Sequence, residues 1–179
     1  MTGLLNRLGA AAALAALPLV ASIMLIAVAS AHDPADDKHT LSTQFRGPGM
    51  NLDIVNGGEF DNMAHLAAAG NFSGQLWHAV PAANGGYQLT TEFRGAGMCL
   101  DIFNGGRFDN MAHLAPCGDY SGQYWYFVGS AQGTYRLTTA FRGDGMCLDV
   151  FNGGEFSDFV HLAPCADYSG QVWTMTLVP

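Results

Sequence analysis

Phe93-Arg94-Gly95-Ala96-Gly97-Met98-Cys99-Leu100-Asp101-Ile102-Phe103-Asn104-Gly105-Gly106 recurs with small changes from Phe141 to Gly154, and again from Phe45 to Gly58. Each occurrence is followed by His-Leu-Ala (from His65, His113 and His161) and then by Ser-Gly-Gln-x-Trp (from Ser73, Ser121 and Ser169). The period is 48 residues without gaps, so the chain from Leu41 onward divides into repeats 41–88, 89–136 and 137–179. Self-similarity at a fixed period decides the architecture before any local propensity does.

Within one repeat the pattern is that of strands. Tyr87-Gln88-Leu89-Thr90-Thr91 alternates apolar and polar side chains, Met98 to Phe103 does so less cleanly, and Asn104-Gly105-Gly106 supplies turn residues. His113-Leu114-Ala115 and Gln123 to Val128 complete four short strands, or twelve in the chain. No stretch carries apolar residues at helical spacing over three turns, which predicts an all-β fold. An open solenoid needs polar capping repeats, and these three show none. A closed arrangement with pseudo-three-fold symmetry removes the exposed edges instead. Its core triples are Leu52, Leu100 and Leu148, Leu66, Leu114 and Leu162, and Trp77, Trp125 and Trp173.

Residues 1–31 differ from the rest. Arg7 is followed by an uncharged run from Leu8 to Ala31 ending Ala29-Ser30-Ala31, the pattern of an exported chain cleaved after Ala31. The run is also long enough to span a bilayer, so membrane contact is expected only if it stays as an uncleaved anchor. Residues 32–39 read as a flexible polar linker and 40–179 as the folded domain. The chain's formal charge is −8, becoming −9 once Arg7 is lost, which disfavours nucleic acid as a partner. In a secreted or periplasmic setting the four cysteines pair as Cys99–Cys117 and Cys147–Cys165. The first repeat supports that pairing, because Asn51 and Ala69 replace both partners together.

Three Gln-x-Trp triplets in register (Gln75-Leu76-Trp77, Gln123-Tyr124-Trp125, Gln171-Val172-Trp173), with Cys-Leu-Asp at Cys99 and Cys147, resemble the ricin-B-type β-trefoil lectins across residues 40–179. The resemblance implies a β-trefoil with up to three equivalent shallow glycan sites and a non-catalytic, exported, monomeric lectin. It implies galactose-type or other sugars, polymeric ones above all. Carried over by position, Asp53, Asp101 and Asp149 grip sugar hydroxyls, Gln75, Gln123 and Gln171 add hydrogen bonds, and His65, His113 and His161 stand where a polar partner lies. Asn56, Asn104 and Asn152 precede two glycines and serve as turn residues or ligand contacts. Two positions depart from the family pattern. Ala67, Ala115 and Ala163 replace the stacking aromatic, and Gly74, Gly122 and Gly170 replace an asparagine. Substitute platforms are Phe60, Phe108 and Phe156, or Phe72, Tyr120 and Tyr168.

Each polar triple also has a structural role open to it. The aspartates suit capping of backbone amides, the glutamines suit holding the loop beside tryptophan, and Arg46, Arg94 and Arg142 suit bonding carbonyls or an acidic neighbour. Alternation with Leu66, Leu114 and Leu162 turns the histidines outward and away from the axis, so no shared metal site and no cofactor are expected. Carboxylates that occur once per repeat, with no nucleophile elbow, do not make an enzyme. The alanine and glycine departures keep a second function open: a protein-binding trefoil, an inhibitor or interaction module, with vestigial sugar sites.

Overall fold

The computed structural model describes residues 37–130 and 133–179; the expected leader 1–31 and residues 32–36 lie outside the described residues. Twelve strands follow in order: β1 Lys38–Thr43, β2 Met50–Ile54, β3 Ala64–Ala68, β4 Trp77–Pro81, β5 Tyr87–Thr91, β6 Gly95–Ile102, β7 Ala112–Pro116, β8 Trp125–Gly129, β9 Tyr135–Thr139, β10 Gly143–Val150, β11 Val160–Pro164 and β12 Trp173–Val178. Six of them close a ring by antiparallel pairing, in the order β1, β4, β5, β8, β9, β12 and back to β1. Three hairpins, β2–β3, β6–β7 and β10–β11, complete the closed three-fold arrangement expected from the repeats, a β-trefoil as the resemblance implied.

Alternation sends one face of every strand into a common core. The leucine and tryptophan triples are all at most 3% exposed, joined by Leu41, Leu89 and Leu137. Burial of each such side chain contributes about 2–3 kcal/mol. The three tryptophans also tie the hairpins to the barrel, because each indole Nε1–H donates to the carbonyl of Leu52, Leu100 or Leu148 at 2.8–2.9 Å. A ring aromatic with its one donor satisfied can be fully buried at no polar cost.

Two boundaries differ from the sequence expectation. Lys38 and His39 belong to β1, paired with Val178 and Leu177, so the ordered barrel begins two residues inside the expected linker. Gln123 and Tyr124 lie outside β8; Ser121–Gln123 forms a single 3₁₀ turn, as do Ser73–Gln75 and Ser169–Gln171. The turn exists because the glutamine swings inward to bond, which an extended strand would not allow.

The repeats are stitched to one another in a cycle. The Leu114 N–H donates to Asn62 O, Leu162 N–H to Asn110 O, and Leu66 N–H to Asp158 O, each at 2.7–2.8 Å. The three acceptor residues have positive φ, 65–67°, which aims each carbonyl at the next repeat. Asparagine and aspartate tolerate that conformation better than other side chains. Arginine reinforces the same seams. Arg94 donates to Asn62 and Asp61, Arg142 to Asn110 and Asp109, and Arg46 to Asp158. The acidic neighbour expected for these arginines therefore sits in the preceding repeat.

Both expected disulfides are formed, Cys99–Cys117 and Cys147–Cys165, and no free cysteine is found among the described residues. Repeat one substitutes a hydrogen bond, from buried Asn51 Nδ2 to Gln75 Oε1 at 3.2 Å. A bridge spanning eighteen residues contributes about 3 kcal/mol by restricting the unfolded chain. Replacing Cys147 and Cys165 together with alanine should therefore lower unfolding stability by about 3 kcal/mol. Urea denaturation of the variant against the parent measures it, and an unchanged midpoint would count against the bridge as a stabilising element.

Candidate functional site

Asp53, Asp101 and Asp149 each follow a core leucine, so alternation turns their carboxylates off the core face. Each carboxylate is then held from two sides. Oδ1 accepts the N–H of the next residue, Ile54, Ile102 or Val150, at 2.7 Å. Oδ2 accepts Nε2–H of Gln75, Gln123 or Gln171 at 2.9 Å. The amide-capping role open to the aspartates is thus real. It leaves lone pairs on both oxygens, because a carboxylate accepts at about four positions.

The glutamines are 0% exposed. The second Nε2 proton of each goes to the carbonyl of Ala68, Pro116 or Pro164, and each Oε1 accepts the N–H of Gly70, Gly118 or Ala166. Gln75, Gln123 and Gln171, expected to add hydrogen bonds to sugar, have no donor left to offer. Their place is to position the aspartate.

Gly74, Gly122 and Gly170 now have a physical reason. A Cβ at any of them would fall 2.1–2.2 Å from the aspartate Oδ1. The position that departs from the family pattern is the one the carboxylate packs against, so glycine there and aspartate across the loop require each other.

Around each carboxylate lies an open hollow, enclosing about 240 Å³ at Asp53, 380 Å³ at Asp101 and 710 Å³ at Asp149. Asn56, Asn104 and Asn152 line the three hollows and are exposed. So do Phe72, Tyr120 and Tyr168, which are 59–62% exposed and are the largest exposed ring in each repeat's hollow. One lining ring was not among the site residues expected from the sequence. The hollow of Asp53 is walled by Phe93, that of Asp101 by Phe141 and that of Asp149 by Phe45, each from the following repeat in the cycle. Phe93 is fixed by its N–H to Ser73 O, 3.2 Å, and by Arg94 over its ring at 4.2 Å. Repetition of Phe-Arg-Gly signalled that this phenylalanine mattered, but nothing local says which repeat it serves.

Other expected members lie elsewhere. Phe60, Phe108 and Phe156 do not face the aspartates; they meet one another edge to face, centroids 6.0–6.1 Å apart, where the three hairpins converge. Their hydrophobic rings find the axis, roofed by Arg107, which pairs with Glu59 and Glu155. The histidines share a face with the aspartates, His65 directly opposite Asp53, His113 opposite Asp101 and His161 opposite Asp149, yet none lines a hollow. His113 and His161 stack on Phe103 and Phe151, centroids 3.6 and 3.7 Å apart. In repeat one, Val55 stands in place of that ring and His65 leans on Phe159 instead. Nor are the histidines remote from the axis: bridges Met63–His113, Met111–His161 and His65–Phe159 set each against a neighbouring hairpin. Among the described residues no group of three or more His, Cys, Asp or Glu is set to hold a metal ion.

A family model described as the ricin-type beta-trefoil lectin domain matches residues 87–177. No curated protein matches the chain. Among solved structures it is similar to a mosquitocidal holotoxin (TM-score 0.65, 16% identity), matching over 78% of this chain and only 16% of the toxin. It is similar to ThreeFoil, a designed 3-fold symmetric protein (TM-score 0.62, 22% identity, 80% of this chain and 99% of that one). It is also similar to SeviL bound to asialo-GM1 saccharide (TM-score 0.55, 16% identity, 78% and 95%). Identities this low speak for the shared fold.

Two predictions follow from this geometry. Gly122→Ala should push Asp101 off its Ile102 amide and cost about 1–3 kcal/mol of stability, as overpacking does; chemical denaturation reads the cost, and amide shifts at Ile102 read the displacement. Burial holds His65, His113 and His161 below the ordinary histidine value of 6.5, with Asp53, Asp101 and Asp149 pulling the other way. A folded pKa below the unfolded one means the unfolded chain binds more protons, so stability is full above pH 6.5 and is lost as pH falls below it. Melting temperature should decline between pH 7 and pH 5, and His113→Gln should flatten that decline.

Proposed function

The chain belongs to the ricin-type β-trefoil lectin domain family, and from that premise we propose that it is an exported, non-catalytic carbohydrate-binding protein with one glycan site per repeat. The observation that carries this reading is the arrangement in each hollow: a carboxylate held rigid by a buried glutamine and a backbone amide, beside an exposed aromatic ring. Fixed acceptors grip vicinal hydroxyls, while the face of Phe72, Tyr120 or Tyr168 takes the C–H surface of a sugar ring. Asn56, Asn104 and Asn152 add a side-chain amide that both donates and accepts. The ring that the family pattern places at Ala67, Ala115 and Ala163 is thereby supplied from the loop before Ser-Gly.

Among the described residues no cation lines any of the three hollows, and each has an aspartate at its centre, which favours neutral glycans over sulfated or uronic ones. The two disulfides support an oxidising compartment. A shallow site of this kind binds weakly, near a Kd of about 1 mM or −4 kcal/mol. Three on one rigid body gain on a polymeric glycan through effective concentration. The saccharide-bound state of SeviL lends support from a protein of the same fold.

A glycan array comparing the parent with the Asp53→Ala/Asp101→Ala/Asp149→Ala variant tests the reading. Binding to neutral glycans should fall at least tenfold in the variant while its far-ultraviolet dichroism is unchanged. Retained binding in the triple variant, or no glycan bound by the parent, would turn the assignment toward a protein-binding trefoil.

A further inference from the structure

The three hollows are not alike at residue 44 and its equivalents. Gln44 lines the hollow of Asp149, whereas neither Glu92 nor Ala140 lines the corresponding hollow. Alanine has nothing to offer. Glu92 is drawn off by His78 Nε2 at 2.9 Å and Lys38 Nζ at 3.3 Å. Gln44 is exposed, and its backbone is fixed by an N–H bond to Val172 O at 2.9 Å.

Gln44 also lines a second groove, of about 660 Å³, over the β1–β12 seam. Five hydroxyl side chains, of Ser42, Ser130, Thr134, Thr174 and Thr176, line that groove together with apolar Pro48 and Val172, and among the described residues no charged one lines it. In repeat two the matching groove is interrupted by the His78 and Glu92 pair. Hydroxyls and a carboxamide both donate and accept, the complement of an uncharged polyhydroxylated chain.

We infer that the Asp149 hollow and the hydroxyl groove form one extended cleft joined at Gln44, which binds a neutral oligosaccharide of several units, while the Asp53 and Asp101 sites bind a single sugar. The inference rests on the glycan-binding reading above. It makes the three sites unequal despite their common frame: repeat three grips a chain along its length, and the other two add valency.

Two variants isolate the sites: Asp53→Ala/Asp101→Ala leaves only the Asp149 hollow, and Asp101→Ala/Asp149→Ala leaves only that of Asp53. Each is titrated on an array of neutral galacto-, gluco- and manno-oligosaccharides of one to six units. The Asp149-only protein should gain about tenfold in affinity from one unit to four, and the Asp53-only protein should gain none. Adding Thr174→Val with Thr176→Val should remove about five- to tenfold for the tetrasaccharides and leave the monosaccharides unchanged, and adding Gln44→Ala should abolish the gain from one unit to four. Equal length dependence in the two proteins, or a gain insensitive to Gln44→Ala, overturns the extended cleft and leaves the lectin reading standing. Absence of saccharide binding in the parent and in both variants overturns the lectin reading, and the cleft with it.

Discussion

A glutamine amide has two protons and one oxygen, and in this molecule all three are used inside the protein. Gln75 gives one proton to Asp53 and one to Ala68, and takes the N–H of Gly70. Gln123 and Gln171 repeat the pattern with their own aspartates. Leaving any one of these groups unpaired in the core would cost about 1–3 kcal/mol. The 3₁₀ turn, the adjacent tryptophan's entry into the core and the posture of the aspartate all follow from satisfying that amide. The candidate site is therefore the outer end of a buried network, which is why its carboxylates are held in one posture by a glutamine and a backbone amide.

The second constraint acts between repeats. A four-stranded repeat of this kind cannot bury its own core face, so closure of the ring must be specified as well as each lobe. Carbonyls at Asn62, Asn110 and Asp158, arginines at 46, 94 and 142, and the phenyl cluster at the axis supply that specification. The arginine that clasps one lobe follows the phenylalanine that walls its hollow. Closing the fold and completing the site are thus performed by neighbouring residues of one motif.

Departures from exact symmetry carry meaning of their own. Repeat one lacks a disulfide and uses Asn51 on Gln75 instead, adding a fourth bond to an amide that has three elsewhere. Arg107 stands where the other repeats have Glu59 and Glu155, and one cation between two carboxylates relieves the repulsion that three glutamates would create on the axis. Gln44, Glu92 and Ala140 differ at a position outside the core network, where only Glu92 takes part in ion pairing, with His78 and Lys38. Variation there is free to serve binding.

Much of this was legible in the residues. The 48-residue period, the alternating strands, the core triples and the paired loss of Asn51 and Ala69 point to a closed three-fold all-β arrangement with two bridges, because periodicity and covalent pairing leave a direct imprint on order and spacing; the trefoil itself was implied by the resemblance that the Gln-x-Trp triplets carry. The aspartates stood out as candidate site residues through the family resemblance, and their place one position after a core leucine turns them off the core face. What the tertiary structure alone decided concerns partners from other repeats or across a loop. Phe93 walls a hollow belonging to the repeat before it, Phe60 meets its copies and not a hollow, and the glutamines turn inward because Asp53 and Ala68 wait there. Gly74 looked like a lost donor until its missing Cβ proved to be the space of a carboxylate. Sequence spacing encodes which face of a strand a residue occupies. It does not encode which distant surface that face will meet, and in a three-fold ring the choice falls to how the lobes close on one another.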